Sequence, residues 1–306
     1  MTRHFLTVAE TPDEDLDTIY RLATAPLDDT LLAGQGVALV FERPSLRTRA
    51  SSSSAVHELG GYATFFSDDE IGIGRRESAE DVGRTLAEMY SLCAARVRRH
   101  DTLERLRAVV GERLGLINLL SDLAHPTQAV ADVLTLADEF GDGDPRSLAG
   151  RRVAYVGDAT NVTRSLAVAL RRLGVHVRVG APAHYQLSTG GGEDPSEDGL
   201  AGSLELVDDP VAAVTGVDAV YTDAWVSMGM EAETEQRRRD LASFAVTSEL
   251  LAHAAPHAVV LHCLPAHRGD EITDEVLDSP ASRVWRQVYH RRSAMVGVLR
   301  WMKGEE

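Results

Sequence analysis

The chain has 306 residues and a formal net charge of -16 at pH 7, with 44% hydrophobic and 25% charged residues. This composition is typical of a soluble globular protein long enough to form two domains. The negative charge argues against nucleic acid and anionic membranes as partners. The N-terminal stretch is acidic, lacks the apolar core of a signal peptide, and no apolar run is long enough to span a membrane, so we expect a cytoplasmic protein.

The reactive side chains narrow the possible chemistry further. The only lysine is Lys303, which excludes a phosphate-binding P-loop and makes Schiff-base catalysis improbable. The two cysteines, Cys93 and Cys263, are too few and too far apart for a disulfide framework or a zinc ribbon. Any bound phosphate is therefore expected to be held by arginine and backbone N–H groups.

Helical and strand patterns alternate through the first half of the chain. Helices are predicted at 13–25, 50–59, 78–89, 102–110 and 127–140, and strands at 37–41, 62–66, 92–97 and 116–120. The glycine- and proline-containing stretch 141–145 breaks this alternation and is the best domain boundary.

A second alternating set follows the break. Strands are predicted at 152–156, 175–179, 204–207, 219–221 and 259–262, helices at 162–173 and 282–302, and a flexible surface loop at 188–199. The pattern predicts an α/β protein with two parallel-sheet, three-layer domains joined by crossing helices. The expected domains are 1–140, completed by the C-terminal helix at about 283–306, and 147–282.

The segment 41–49 reads as a strand end, a polar turn and a helix start. It carries Ser45, Arg47, Thr48 and Arg49, so hydroxyls and guanidiniums lie beside the first N–H groups of a helix. Such a turn is suited to a phosphate or a similar oxyanion. A solvated basic turn is the simpler alternative.

Two further motifs follow strands. His125 and Gln128 lie on either side of Pro126, a residue suited to the first helical position. A histidine there can polarise a carbonyl, and a glutamine can bind an amide. A plain helix-capping turn is the alternative. Asp223 ends a later strand and can pair with an ammonium group, or cap a turn.

Several other chemistries are excluded by spacing. The segment 157–161 resembles a dinucleotide fingerprint but lacks its second and third glycines, so no nicotinamide is expected and Asn161 is a better candidate for binding a small substrate. His262 and Cys263 are adjacent, so on a strand they would face opposite sides and could not form a thiolate–imidazole pair. His57 lacks the second histidine of a zinc-hydrolase helix.

Four motifs in order identify a resemblance to the aspartate/ornithine carbamoyltransferase family, most closely its ornithine branch. The chain has Ser-x-Arg-Thr-Arg at 45–49, His-Pro-x-Gln at 125–128, Asp-x-Trp-x-Ser-Met-Gly at 223–229 and His-Cys-Leu-Pro at 262–265. The resemblance implies carbamoyl transfer from carbamoyl phosphate to the δ-amine of ornithine. It also implies a homotrimer with sites between subunits, a role in arginine metabolism, and neither a cofactor nor a metal.

The resemblance also implies roles for individual residues. The first domain would bind carbamoyl phosphate and the second ornithine. Catalytic roles would fall to Arg47, Arg96, His125, Cys263 and Arg291. Carbamoyl phosphate would contact Ser45, Leu46, Arg47, Thr48, Arg96, His125, Gln128, Cys263, Leu264 and Arg291, with Arg76 reaching in from a neighbouring subunit. Ornithine would contact Asn161, Asp223, Ser227 and Met228.

Three departures from the family pattern leave alternatives open. Arg43 replaces a usual lysine, Ser52 and Ser53 replace Phe-Glu, and the usual Glu-Asn-Arg reads Tyr289, His290, Arg291. The serines are expected to weaken the helix and the packing behind the phosphate turn. A relative that carbamoylates putrescine or a modified ornithine, or a member with low activity, is the alternative.

Overall fold

A computed structural model describes residues 2–226 and 231–305, with only the backbone of Glu231. The predicted acceptor residues Ser227 and Met228 lie outside the described residues. The chain divides into two compact units, one formed by Met1–Ala131 with Tyr289–Glu306 and the other by Asp132–Val288. Within the described ranges, none of the helices combines the length and apolar character that a membrane span requires.

The first unit is built on a parallel four-stranded sheet with the order β2-β1-β3-β4. Its buried strands are apolar on both faces, as expected where helices cover both sides of a parallel sheet. In chain order the elements are α1 (Asp13–Thr24), β1 (Gly36–Phe41), α2 (Leu46–Glu58), β2 (Tyr62–Ser67), α3 (Asp68–Ile71), α4 (Ala79–Ala87), β3 (Leu92–Arg96), α5 (His100–Val110), β4 (Gly115–Leu120) and α6 (Pro126–Phe140).

The second unit contains a parallel five-stranded sheet with the order β7-β6-β5-β8-β9. Valines and alanines of its strands pack with α8 and α11 in one core. The elements that follow α6 in the chain are β5 (Arg152–Val156), α7 (Asn161–Arg172), β6 (His176–Gly180), β7 (Leu204–Val207), α8 (Pro210–Val214), β8 (Ala219–Thr222), α9 (Thr234–Leu241), α10 (Ser248–Leu251), β9 (Val259–His262), α11 (Asp274–Leu277) and α12 (Val284–Met302), the last of which lies mostly in the first unit. Short 3₁₀ turns occur at Pro145–Leu148, Ala183–Tyr185, Glu231–Glu233 and Ala242–Phe244.

The predicted fold class is confirmed. Both sheets are parallel and alternate with helices, and two helices, α6 and α12, each have residues in both units. Within the first sheet the register pairs Phe41 with Arg96, and Arg96 with Leu120. The last residues of three strands therefore lie at one edge, which is where ligands bind in sheets of this type.

Several local predictions were wrong. Helix α2 begins at Leu46 rather than at 50, because Ser45 caps it. The short helices α3, α8, α10 and α11 and the polar helix α9 were not predicted. The stretch 188–199 has no helix or strand, but it is anchored: Glu193 is fully buried and accepts a hydrogen bond from Ser165 Oγ at 2.7 Å.

Candidate active site

The first turn of α2 presents its hydroxyls and N–H groups together. Ser45 has an extended backbone (φ -159°), and its Oγ accepts from the Thr48 N–H at 3.4 Å while donating to Thr48 Oγ1 at 3.0 Å. The N–H groups of Leu46 and Arg47 come before the point where helical i→i−4 bonding begins, and the helix dipole adds positive potential there. The turn can therefore hold an oxyanion.

Arg291 of α12 joins this turn to α6. Its Nη2 donates to Thr48 Oγ1 at 2.8 Å, and its Nη1 donates to Gln128 Oε1. The guanidinium is buried, with 8% of Arg291 exposed. One arginine therefore links the hydroxyl of the predicted phosphate turn to the amide predicted to bind the carbamoyl group.

His125 lies where β4 leads into α6, and Arg96 ends β3; both side chains are buried. Burial, and then the positive charges of Arg291 and Arg96, hold the pKa of His125 well below its usual value. The imidazole is therefore neutral at neutral pH and can donate a single hydrogen bond to an oxygen that gains negative charge.

A small pocket lies behind the turn. Ser52, one of the two serines that replace the family's Phe-Glu, lines this pocket and is 1% exposed. A serine hydroxyl is therefore buried at a position where the family pattern has a larger side chain. The lining residues are Thr48, Ser51, Ser52, Leu119, Thr127, Arg291 and Met295.

The second unit gathers polar groups at the ends of its own strands. Asp223 follows β8, and its Oδ1 accepts from Cys263 Sγ and from the Ala224 N–H, both at 2.8 Å. Burial raises the pKa of Asp223, and the nearby His262 and these two donors oppose that effect. A half-buried carboxylate with its position fixed in this way is a natural partner for an ammonium group.

Side-chain atoms of His262 and Cys263 lie near each other, contrary to the prediction that the two residues would face opposite sides of a strand. Strand β9 ends at His262, which leaves Cys263 outside the strand alternation, and ligand atoms of Asp223, His262 and Cys263 all lie within 4.8 Å of one another. Among the described residues this is the group whose spacing could hold a metal ion. The expectation of no metal stays a prediction.

The His262 ring is nevertheless not a base for the thiol. Its Nδ1 accepts from the Leu264 N–H at 2.8 Å, so its proton resides on Nε2, which faces Glu271 Oε1 at 3.0 Å. Both of these side chains are fully buried. The pair therefore fixes the Cys263–Leu264 backbone rather than activating the cysteine.

Gly157 owes its place to packing rather than to a dinucleotide. Its φ is +120°, and a Cβ there would lie 3.0 Å from Trp225 Nε1. Asn161, the first residue of α7, follows this turn and is half-buried. The glycine lets the Trp225 ring approach the backbone that leads to Asn161.

Sequence reasoning missed a buried ion pair beside this turn. Arg237 Nη1 lies 2.6 Å from Asp158 Oδ2, and the two side chains are 10% and 11% exposed. The residues are far apart in sequence, and nothing in the polar sequence of α9 marks Arg237 as buried.

The comparisons with known proteins agree with this arrangement. The Asp/Orn-binding domain of the aspartate/ornithine carbamoyltransferases matches residues 149–302, and their carbamoyl-P-binding domain matches residues 3–138. The chain belongs to the aspartate/ornithine carbamoyltransferase family.

Similar members of the family cover nearly the whole chain. An ornithine carbamoyltransferase of Ignicoccus hospitalis is 44% identical over 273 residues, 88% of this chain and 85% of that protein. One of Methanocorpusculum labreanum is 37% identical over 306 residues, 98% of this chain and 97% of that protein. The solved structure of ornithine carbamoyltransferase from Pyrococcus furiosus has a TM-score of 0.90 at 37% identity, covering 100% of this chain and 98% of that one.

The structure brings most of the predicted carbamoyltransferase residues into two groups. Ser45, Thr48, Gln128 and Arg291 are joined by hydrogen bonds in the first unit, and Arg96 and His125 are electrostatically coupled there. Asp223 and Cys263 are bonded in the second. Arg76 donates instead to the carbonyls of Asp69 and Glu70 in the preceding helix α3, at 3.2 and 3.1 Å.

Proposed function

We propose that the chain transfers the carbamoyl group of carbamoyl phosphate to the δ-amine of L-ornithine, giving L-citrulline and phosphate. The observation that carries this is the buried Arg291, which contacts both Thr48 and Gln128. A ligand bound there would present one end to the helix N-terminus and the other to an amide. Carbamoyl phosphate has those two ends.

The first group of residues supplies the electrostatic part of the reaction. Negative charge grows on the carbonyl oxygen as the amine attacks, and then on the departing phosphate. His125 and Arg291 donate to the carbonyl oxygen, and Gln128 holds the carbamoyl nitrogen. The phosphate is held by the remaining residues of this group, which are Ser45, Leu46, Arg47, Thr48 and Arg96. Donors fixed before the reaction stabilise this charge without having to reorganise.

The second group binds the acceptor. Asp223 pairs with the α-ammonium group of ornithine. The other amino-acid contacts come from Asn161, Ser227 and Met228. Cys263 and Leu264 lie beside the reacting amine. Two substrates held in line make a metal or covalent intermediate unnecessary. The δ-amine must lose its proton first, and since free amines titrate near a pKa of about 10.4, turnover is expected to rise with pH.

We assign carbamoyl phosphate to the domain 1–140 with 283–306 and ornithine to 147–282. We also propose a cytoplasmic homotrimer in which Arg76 leaves its own loop and completes a neighbour's phosphate site.

The test is a citrulline-forming assay on purified protein, with ornithine, putrescine and N-acetylornithine in parallel. Ornithine is expected to be the preferred acceptor, because putrescine lacks the α-carboxylate and N-acetylornithine lacks the cationic partner for Asp223. Arg47→Ala should lose most activity, while Arg239→Ala, an exposed arginine elsewhere, should retain it. The absence of turnover with every acceptor, or full activity in Arg47→Ala, would overturn the proposal.

A further inference from the structure

The helix α9 follows the acceptor motif in the chain and contains a buried cation, Arg237. Arg237 Nη1 donates to Asp158 Oδ2 at 2.6 Å and to the Trp225 carbonyl at 3.0 Å, and its Nε donates to Glu233 Oε2 at 2.9 Å. The same guanidinium lies 5.2 Å from the centre of the Tyr185 ring. It is therefore held on several sides.

These contacts join three parts of the acceptor region. Trp225 lies two residues after Asp223, and Glu233 directly precedes α9. Asp158 belongs to the turn that ends at Asn161, and its carbonyl accepts from Tyr155 Oη at 2.7 Å. One side chain thus connects Trp225 and Glu233 to the turn that leads to Asn161.

Two other contacts attach α9 to neighbouring loops, but they are more exposed. Arg238 pairs with Asp270 at 2.9 Å, with 47% of the arginine side chain exposed. Tyr185 Oη donates to Asp240 Oδ2 at 2.8 Å. Exposed pairs contribute little to holding a structure, whereas removal of one partner from a buried pair leaves an uncompensated charge. Arg237 is therefore the contact on which the position of Trp225 relative to Asp158 depends.

We propose that Arg237 is a positioning residue for the amino-acid acceptor. Through Asp158 and the Trp225 carbonyl it keeps Trp225, and with it the nearby Asp223, aligned with the turn that ends at Asn161. Acceptor binding therefore depends on Arg237, while the phosphate turn does not. This rests on the proposed function, since it concerns the acceptor side of that reaction.

The experiment measures KM for each substrate separately in Arg237→Gln, Arg237→Lys and Asp158→Asn. Arg239→Gln is the matched control, because Arg239 lies on the same helix and donates to Gln236 within it. Displacement of Asp223 relative to Asn161 is expected to raise KM for ornithine about tenfold or more in Arg237→Gln, with KM for carbamoyl phosphate nearly unchanged. Arg237→Lys should be intermediate, because an ammonium keeps the charge but cannot reproduce the fork of donors.

The double variant Arg237→Gln/Asp158→Asn shows whether Arg237 and Asp158 act through their contact with each other or independently. If the pair acts as one unit, the double variant should be little worse than either single variant. Should Arg237→Gln fail to fold, Arg237→Lys and Asp158→Asn carry the same test. An unchanged KM for ornithine, or an equal rise of both KM values, would overturn the positioning role. Failure of the unaltered protein to use ornithine would instead overturn the proposed function.

Discussion

Arg291 combines two tasks at the candidate active site. It contacts the hydroxyl at the start of α2 through Thr48 and the amide of Gln128 in α6, and its charge lowers the pKa of His125. The bond pattern uses two separate nitrogens of one planar group. A lysine could supply the charge but not both bonds in this geometry.

Arg291→Lys is therefore expected to lower kcat by about 10²-fold, the size of effect seen when one oxyanion donor is removed. KM for ornithine should change little, because the acceptor residues are not altered. Steady-state kinetics with each substrate varied in turn will measure both. The control is Arg292→Gln, which removes the neighbouring ion pair with Glu58; an equal loss of kcat in the control would contradict the assignment.

Asp223 is the corresponding residue for the acceptor. Its carboxylate is positioned by Cys263 and by the Ala224 N–H. Asp223→Asn keeps the shape but removes the charge that pairs with the α-ammonium. We expect kcat/KM for ornithine to fall about 10²-fold, since truncating a buried charge pair costs about 2–5 kcal/mol.

Binding of carbamoyl phosphate serves as the internal reference for that variant. Its KM should stay near that of the unaltered protein, and the exposed Asp208→Asn should behave normally in all respects. If Asp223→Asn processed ornithine normally but putrescine better, the carboxylate would have another role.

At the scale of elements, α12 passes close to α1 where Gly297 lies. A Cβ at Gly297 would lie 2.4 Å from the Ile19 carbonyl oxygen and 2.9 Å from Ala23 Cβ. Backbone atoms of a neighbouring helix cannot move aside cheaply. The glycine is therefore required by the close approach of the two helices, despite its poor helix propensity.

Gly297→Ala is expected to lower the free energy of unfolding by about 1–3 kcal/mol, the usual cost of overpacking. Gly83→Ala is the matched control, because a Cβ at Gly83 would meet only side-chain ends of Leu106, Val109 and Val110, at 3.1–3.2 Å. Thermal and urea unfolding of both variants will distinguish packing from propensity. A stabilised Gly297→Ala would show that α1 can shift to admit a methyl group.

The elements also show where sequence reasoning succeeds and where it stops. The strands were predicted because they are short apolar runs, and their ends located the phosphate and acceptor motifs. Helix α9 was missed because its buried face consists of Arg237 and Leu241, which gives no apolar repeat. A helix stabilised by an ion pair to a distant residue has no local pattern from which to predict it.

For the whole molecule, acid stability depends on histidines that fold without their proton. Burial is the main cause that lowers the pKa of His4, His100 and His125. Below about pH 6.5 the unfolded chain takes up protons at these histidines that the folded chain does not. The free energy of unfolding should therefore be greatest above that pH and fall as the solution is acidified. Burial raises the pKa values of Asp158 and Asp223, so on further acidification the folded chain takes up protons at these carboxylates before the unfolded chain does. These two groups therefore oppose the loss of stability at lower pH.

His125→Gln isolates one of these contributions. Below pH 6.5, one buried histidine that stays neutral changes the free energy of unfolding by about 1.4 kcal/mol per pH unit. His125→Gln should lose that pH dependence. The aspartate contributions are the same in the variant and the unaltered protein, so they cancel when the two are compared. Urea unfolding between pH 5 and pH 8, with the exposed His184→Gln as control, measures it. Parallel curves of stability against pH for His125→Gln and the unaltered protein would mean that His125 takes up its proton in the folded state as readily as in the unfolded state. The charged imidazole beside Arg96 and Arg291 would then have to be offset by an anion bound at the turn.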